Sequence, residues 1–249
     1  MNKINFVFLR HGESCQQVAY NQLSGSKLYS KFYDKFYDPT LSDSGKIDSI
    51  NSGIYMKKFL ENQNLKIKDF DIIGSSPMIR AIETAYYMTN ENYNNSDIFV
   101  FPYLRECYHC DSRDNVKLLD NHWPLKSIKD QQTYFNDIGI NNINFKYVKD
   151  NENTLRLEPG DIQKFIEWFS KIVELPDKPI INVLVLLHSH VIRELTGRNV
   201  NNNGGFIMTS KYNKKSKKII YNKDNIILVI SKIRRSIFEC PTVRCPGIC

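Results

Sequence analysis

The sequence predicts a single α/β domain built around buried parallel strands. Two apolar runs of strand length, Ile4 to Leu9 and Val183 to Leu187, are continuous rather than alternating, as strands covered on both faces are. Segments with helical spacing lie between such runs, and 249 residues suit one sizeable core. The third observation concerns the strand ends: polar, reactive side chains stand at their C-terminal positions, where open α/β sheets form their crevices.

The first strand, Asn5 to Leu9, ends in Arg10-His11-Gly12, where the small Gly12 lets the chain turn and approach a ligand closely. An aromatic-rich polar segment, Tyr20 to Tyr37, lacks periodicity and is expected as a loop or short helices. Asp38 to Gly45 carries turn chemistry, and Ile47, Ile50 and Ile54 then recur at helical spacing up to about Leu60. Phe70 to Gly74 is a second strand, followed by Ser75-Ser76-Pro77 as the start signal of a helix from Met78 to about Met88. Ile98 to Phe101 is a third strand, ending near Leu104-Arg105-Glu106. The polar interval from about residue 111 to 157 is too long for a simple connection and is expected to be a cap insertion.

Beyond Pro159-Gly160-Asp161, Ile162, Phe165, Ile166, Phe169 and Val173 define an amphipathic helix. The strand Val183 to Leu187 leads into His188-Ser189-His190 and a short helix through Ile192, with Gly197 as its C-terminal cap. Ile219–Tyr221 and Ile226–Ile230, separated by Asn222 to Asn225, predict a terminal hairpin. The domain is thus expected over 1–238, with a Cys- and Pro-bearing tail at 239–249.

A net charge of +7 and a pI near 9.0 favour an anionic ligand without choosing one. The Lys211 to Lys218 cluster is better explained as a solvated turn than as a nucleic-acid patch, so nucleic acid is not an expected partner. No segment approaches the roughly 18 apolar residues of a membrane span, and the N-terminal apolar run is too short for a secretory signal. A cytoplasmic location with reduced cysteines is expected. Cys107 and Cys110 have metal-ligand spacing that His109, His122 or the tail cysteines could complete as a zinc site, but no second such pair accompanies them.

Four strand ends bring similar cargo to one sheet edge: Arg10-His11, Ser75-Ser76 with Arg80, Glu106, and His188. Two imidazoles, two guanidiniums and a carboxylic acid suffice for phosphoryl transfer through a covalent phosphohistidine. The chain resembles the histidine phosphatase superfamily, the phosphoglycerate mutase-like proteins. The resemblance lies in Leu9-Arg10-His11-Gly12-Glu13, Asp38 to Gly45, Ser75 to Ala85, Leu104-Arg105-Glu106 and Leu187 to Arg193, in the family's order. It implies a three-layer α/β/α sandwich with a mostly parallel sheet and a phosphate pocket at the strand C-termini.

The resemblance further implies that His11 is the nucleophile, that Arg10, Arg80 and His188 hold the phosphoryl oxygens, and that Glu106 is first proton donor and then base. A partly desolvated site is expected to keep Glu106 protonated for the first step. Neither a metal nor another cofactor is called for. Of the two histidines in His188-Ser189-His190, alignment on Val191-Ile192-Arg193 selects His188, leaving His190 behind it or facing substrate. Gln17 stands where many members place an asparagine that contacts phosphate. Cys107-Tyr108-His109-Cys110-Asp111-Ser112-Arg113 is similar to a Cys-Asp-x-Arg pattern of some members, which would put Asp111 and Arg113 at the pocket entrance and make the cysteine pair no zinc site. The implied activity is a metal-independent phosphomonoesterase acting on a phosphorylated small molecule, with a phosphopeptide a weaker option. A mutase-type phosphotransferase and a catalytically silent phosphoryl-binding module remain the alternatives.

Overall fold

The computed structural model describes residues 2–23, 38–62, 69–90, 92–93, 97–106, 125–149 and 160–229. Its elements, in order, are β1 (Asn2–Arg10), α1 (Cys15–Leu23), α2 (Asp43–Asn62), β2 (Ile72–Ser75), α3 (Ile79–Thr89), β3 (Ile98–Val100), α4 (Ile128–Asp137), β4 (Ile143–Asn144), α5 (Ile162–Ile172), β5 (Ile180–Leu187), α6 (Ser189–Thr196), β6 (Gly205–Asn213) and β7 (Lys218–Val229). The strands form one sheet in the order β4-β3-β2-β5-β1-β6-β7. β6 runs antiparallel to both β1 and β7; β1, β5, β2, β3 and β4 are mutually parallel, as the continuous apolar runs require.

Period-two alternation of β1 divides the core. Ile4, Phe6 and Phe8 pack with Val183, Val185 and Leu187 of β5 under α5 and α6, through Phe165, Phe169, Val191 and Leu195. Val7 and Leu9 face the other way with Leu184 and Leu186, against Met56 and Leu60 of α2 and Ala81, Ala85 and Met88 of α3. Helices thus cover both faces of a mostly parallel sheet, a three-layer α/β/α architecture.

Several expectations change in detail. The isoleucine stripe of α2 is not its buried face: Ile47 is 57% and Ile54 40% exposed, while Gly45, Ser49, Ser52, Gly53, Met56 and Leu60 are buried. Small residues on that face let α2 sit close to α3 and to the turn after β1. Asn222 to Asn225 do not form a hairpin turn. The hairpin turn is 214–217, and β7 is one strand in which Tyr221 and Ile226 pair with Ser210 and Met208, so the four polar residues are accommodated as an irregularity.

Helix α3 begins at Ile79, one residue after the expected Met78, and the side chain of the N-cap residue Met78 does not cap it; the buried carboxyl of Asp38 accepts from Ile79 N at 3.0 Å. The described part of the interval expected as a cap, 125–149, is built into the layers: β4 pairs with β3, and Ile128 and Phe135 of α4 pack on Ile79 and Ile82. Gly197 does end α6 in the left-handed region, φ 68°. The tail 239–249, Asp111, Arg113, Cys107 and Cys110 lie outside the described residues.

Candidate active site

Three parallel strands deliver the site. β1 ends in Arg10-His11, β2 in Ser75-Ser76 leading to Arg80 on the first turn of α3, and β5 in His188; the segment after β3 adds Glu106. Backbone bonds lock these ends together: His11 N donates to Leu187 O (3.0 Å) and Ser76 N to Leu186 O (2.8 Å). Gly12 N donates to Thr84 Oγ1 on α3 at 2.9 Å. The smallness of Gly12 serves packing rather than a ligand, since a Cβ there would fall 2.7 Å from Ser49 Oγ and 3.0 Å from Gly45 O of α2.

His11 is nearly fully buried, and its Nδ1 lies 2.6 Å from Gly12 O. A carbonyl only accepts, so Nδ1 carries the proton and the Nε2 lone pair faces the cluster. Arg80 Nε donates to that nitrogen at 3.2 Å. Burial, then the charges of Arg80, His188 and Arg10, hold the imidazole well below its usual range, so it is neutral near pH 7. A neutral ring with this tautomer is what nucleophilic attack through Nε2 needs.

His188 is fully buried, its ring 5.0 Å from that of His11. Its Nε2 lies 2.8 Å from Ser76 Oγ, and its Nδ1 lies 3.3 Å from Glu106 Oε2 and 3.4 Å from Arg80 Nη2. Burial pushes its pKa down to about 4, against the pull of Glu106, so at neutral pH Nδ1–H points at the carboxylate and Ser76 donates to Nε2. Arg80 Nη2 is 3.8 Å from Glu106 Oε2, which places one guanidinium between all three groups. Arg10 donates to Val200 O at 2.9 Å, and its buried Nε has no hydrogen-bond partner among the described residues. That donor is left over for an anion's oxygen.

Two expectations are corrected here. Burial alone would raise the Glu106 carboxyl, but His188, His190 and Arg80 pull it well below the usual carboxylate range, so this set of neighbours holds it ionised rather than protonated. Gln17 does not reach the cluster. Its Oε1 accepts from Ser14 N (3.0 Å), Ser14 Oγ accepts from Gln17 N (3.3 Å), and its Nε2 donates to Asn202 Oδ1 (3.4 Å). Ser14-x-x-Gln17 is therefore a capping box at the start of α1, a pattern present in the sequence.

His190 lies beside Glu106: its Nδ1 is 2.7 Å from Glu106 Oε1, and its backbone N–H donates to the same oxygen at 3.4 Å. The loop after α6 is a further contributor that sequence reasoning missed. Gly204 O and Asn203 N bracket Arg10 at 2.8 and 3.0 Å, with Asn203 at φ 58°. The Asn201 to Gly205 run, polar and glycine-bearing, was its available signal.

Donor atoms of His11, Glu106 and His188 lie within 4.8 Å of one another, close enough to share a metal ion. The Arg80 guanidinium, in contact with all three, puts fixed positive charge where that ion would go. The arrangement matches an anion better than a cation.

No family model matches the sequence, and no curated protein matches it. Solved structures similar to this chain include the ecdysone phosphate phosphatase of Bombix mori, at 12% identity and TM-score 0.48, covering 90% of this chain and 93% of that one. The phosphoserine phosphatase of Entamoeba histolytica is 14% identical, with TM-score 0.43 and coverage of 92% and 98%. A phosphoglycerate mutase of Plasmodium falciparum is 14% identical, with TM-score 0.38 and coverage of 89% and 90%.

Proposed function

We propose that this chain is a phosphomonoesterase of the histidine phosphatase type, working through phosphohistidine on a phosphorylated small molecule. The observation that carries the reading is the His11 Nε2 lone pair, neutral and buried, with the Arg80 fork 3.2 Å away and Glu106 on the far side of that fork. Nε2 attacks phosphorus, the ester P–O bond breaks, and the leaving oxygen takes a proton from Glu106. Water then attacks phosphorus, the N–P bond breaks, and Glu106 takes the proton that water gives up. Arg10 and Arg80 neutralise the charge spread over the phosphoryl oxygens through both steps, and His188 adds a neutral N–H donor beside them.

The phosphoryl dianion itself supplies what an ionised Glu106 lacks. Its negative charge, brought against Arg80 and His188, raises the carboxyl's proton affinity when a proton must be donated. No step draws on a metal.

The test is hydrolysis of an aryl phosphate with chelator present. Turnover that resists the chelator, vanishes in His11→Ala and leaves trapped phosphohistidine in Glu106→Gln is expected. Absence of both turnover and phosphoenzyme across a panel of phosphomonoesters overturns the reading.

A further inference from the structure

We propose that His190 is the proton store of Glu106, holding at Nδ1 the proton that the carboxyl delivers to the leaving group. The inference rests on the phosphatase reading and adds a residue and a proton path to it. The two oxygens of Glu106 face different partners: Oε2 looks inward to His188 Nδ1 (3.3 Å) and Arg80 (3.8 Å), and Oε1 looks outward to His190 Nδ1 (2.7 Å). The inner histidine is fully shielded, whereas the His190 side chain is 26% exposed, so of the two imidazoles on Glu106 it is the one that meets solvent.

Placement on α6 makes this contact firm. His190 is the second residue of the helix, and its backbone N–H also points at Oε1, so the helix start orients both donors on one oxygen. Besides Glu106 from the segment after β3, the ring acts on Glu194 of α6, which also feels Asp161 at the start of α5 and Arg193 on α6. The 2.7 Å contact holds the shared proton between Nδ1 and Oε1.

The protons balance within the pair. Before substrate binds, the pair is Glu106 carboxylate and His190 imidazolium. As the phosphoryl dianion docks, Nδ1–H breaks and Oε1–H forms, leaving a neutral ring protonated at Nε2. Glu106 then gives that proton to the leaving oxygen as the ester bond breaks and regains one from the attacking water. When phosphate leaves, the proton returns to Nδ1. One proton thus serves each cycle without uptake from solvent at the buried carboxyl.

The experiment compares wild type with His190→Asn, whose amide keeps a donor near Nδ1 but cannot release its proton. Two substrates are used: an alkyl phosphate, whose leaving oxygen must be protonated, and a nitrophenyl phosphate, whose need is slight. The expected loss in kcat/KM is at least tenfold for the alkyl ester and under threefold for the nitrophenyl ester, with recovery of the alkyl rate on adding imidazole. The wild-type fall in alkyl kcat/KM toward high pH should also be displaced in the variant. Equal losses on both substrates, or no loss, overturn the proton store while leaving phosphatase activity standing. Failure of wild type to turn over either ester, with no phosphohistidine, overturns the parent reading and the store with it.

Discussion

Replacing Asp38 with asparagine should change how stability depends on pH. The Asp38 carboxyl is fully buried: Oδ1 accepts from Ile79 N at 3.0 Å, and Oδ2 from Lys126 N and Gln131 Nε2, each at 3.3 Å. Burial nevertheless prevails over these donors and raises its pKa from 3.8 to about 7. The folded state therefore binds this proton more tightly than the unfolded chain. Stability from protonation is complete below pH 3.8 and is lost as pH rises through 7. At about 1.4 kcal/mol per pH unit inside that window, raising pH from 5 to 8 removes about 3 kcal/mol.

Asp38→Asn cannot ionise, and its amide N–H would meet Lys126 N–H and Gln131 N–H donor against donor. The variant should be less stable than wild type at pH 5, and that gap should shrink by about 3 kcal/mol by pH 8. Urea unfolding of both proteins at the two pH values measures the gap directly. A gap that is the same at pH 5 and pH 8 would mean that Asp38 is ionised throughout, and would refute the reasoning.

Gln17→Ala should lower stability by about 1 kcal/mol through loss of the capping box while leaving kcat/KM within about twofold; a large fall in activity at unchanged stability would restore a phosphate-binding role. Arg80→Lys keeps the charge but not the fork that meets His11, His188 and Glu106, so kcat/KM should fall by about 10²- to 10³-fold. A change under tenfold in that assay would show that charge alone suffices.

The sheet centre and the strand-end chemistry were legible because both are local in sequence. An apolar run such as Val183 to Leu187 states its burial, and His188 follows it directly. β6 was hidden because Thr209, Ser210 and Lys211 interrupt its apolar part, although Ser210 and Tyr212 are buried. The buried side of α2 was missed because close helix approach selects small residues, and hydrophobic spacing then marks the wrong face. Gln17 fits either a ligand contact or a cap by residue type alone, and only the 3.0 Å bond to Ser14 N decides. Glu106 could not be assigned its charge state in advance, since Arg80, His188 and His190 reach it from segments far apart in the chain.

β1 precedes all its sheet partners along the chain, yet it lies in the interior of the sheet between β5 and β6. Lys3 to Arg10 pair with Ile180 to Leu187, and Asn2 to Leu9 with Tyr212 to Gly205. A nascent chain must therefore hold Phe6 and Phe8 out of their final contacts until Ile180 to Tyr212 have left the ribosome. These long-range pairings favour slow folding and a prolonged need for protection of that strand. The α2–α3 layer can assemble earlier, but the carbonyls of Val200 and Gly204 that fix Arg10 arrive only after β5 and α6. Arg10 and His11, the earliest of these site residues along the chain, thus wait for the latest, and a chain terminated before β5 carries His11 without its surroundings.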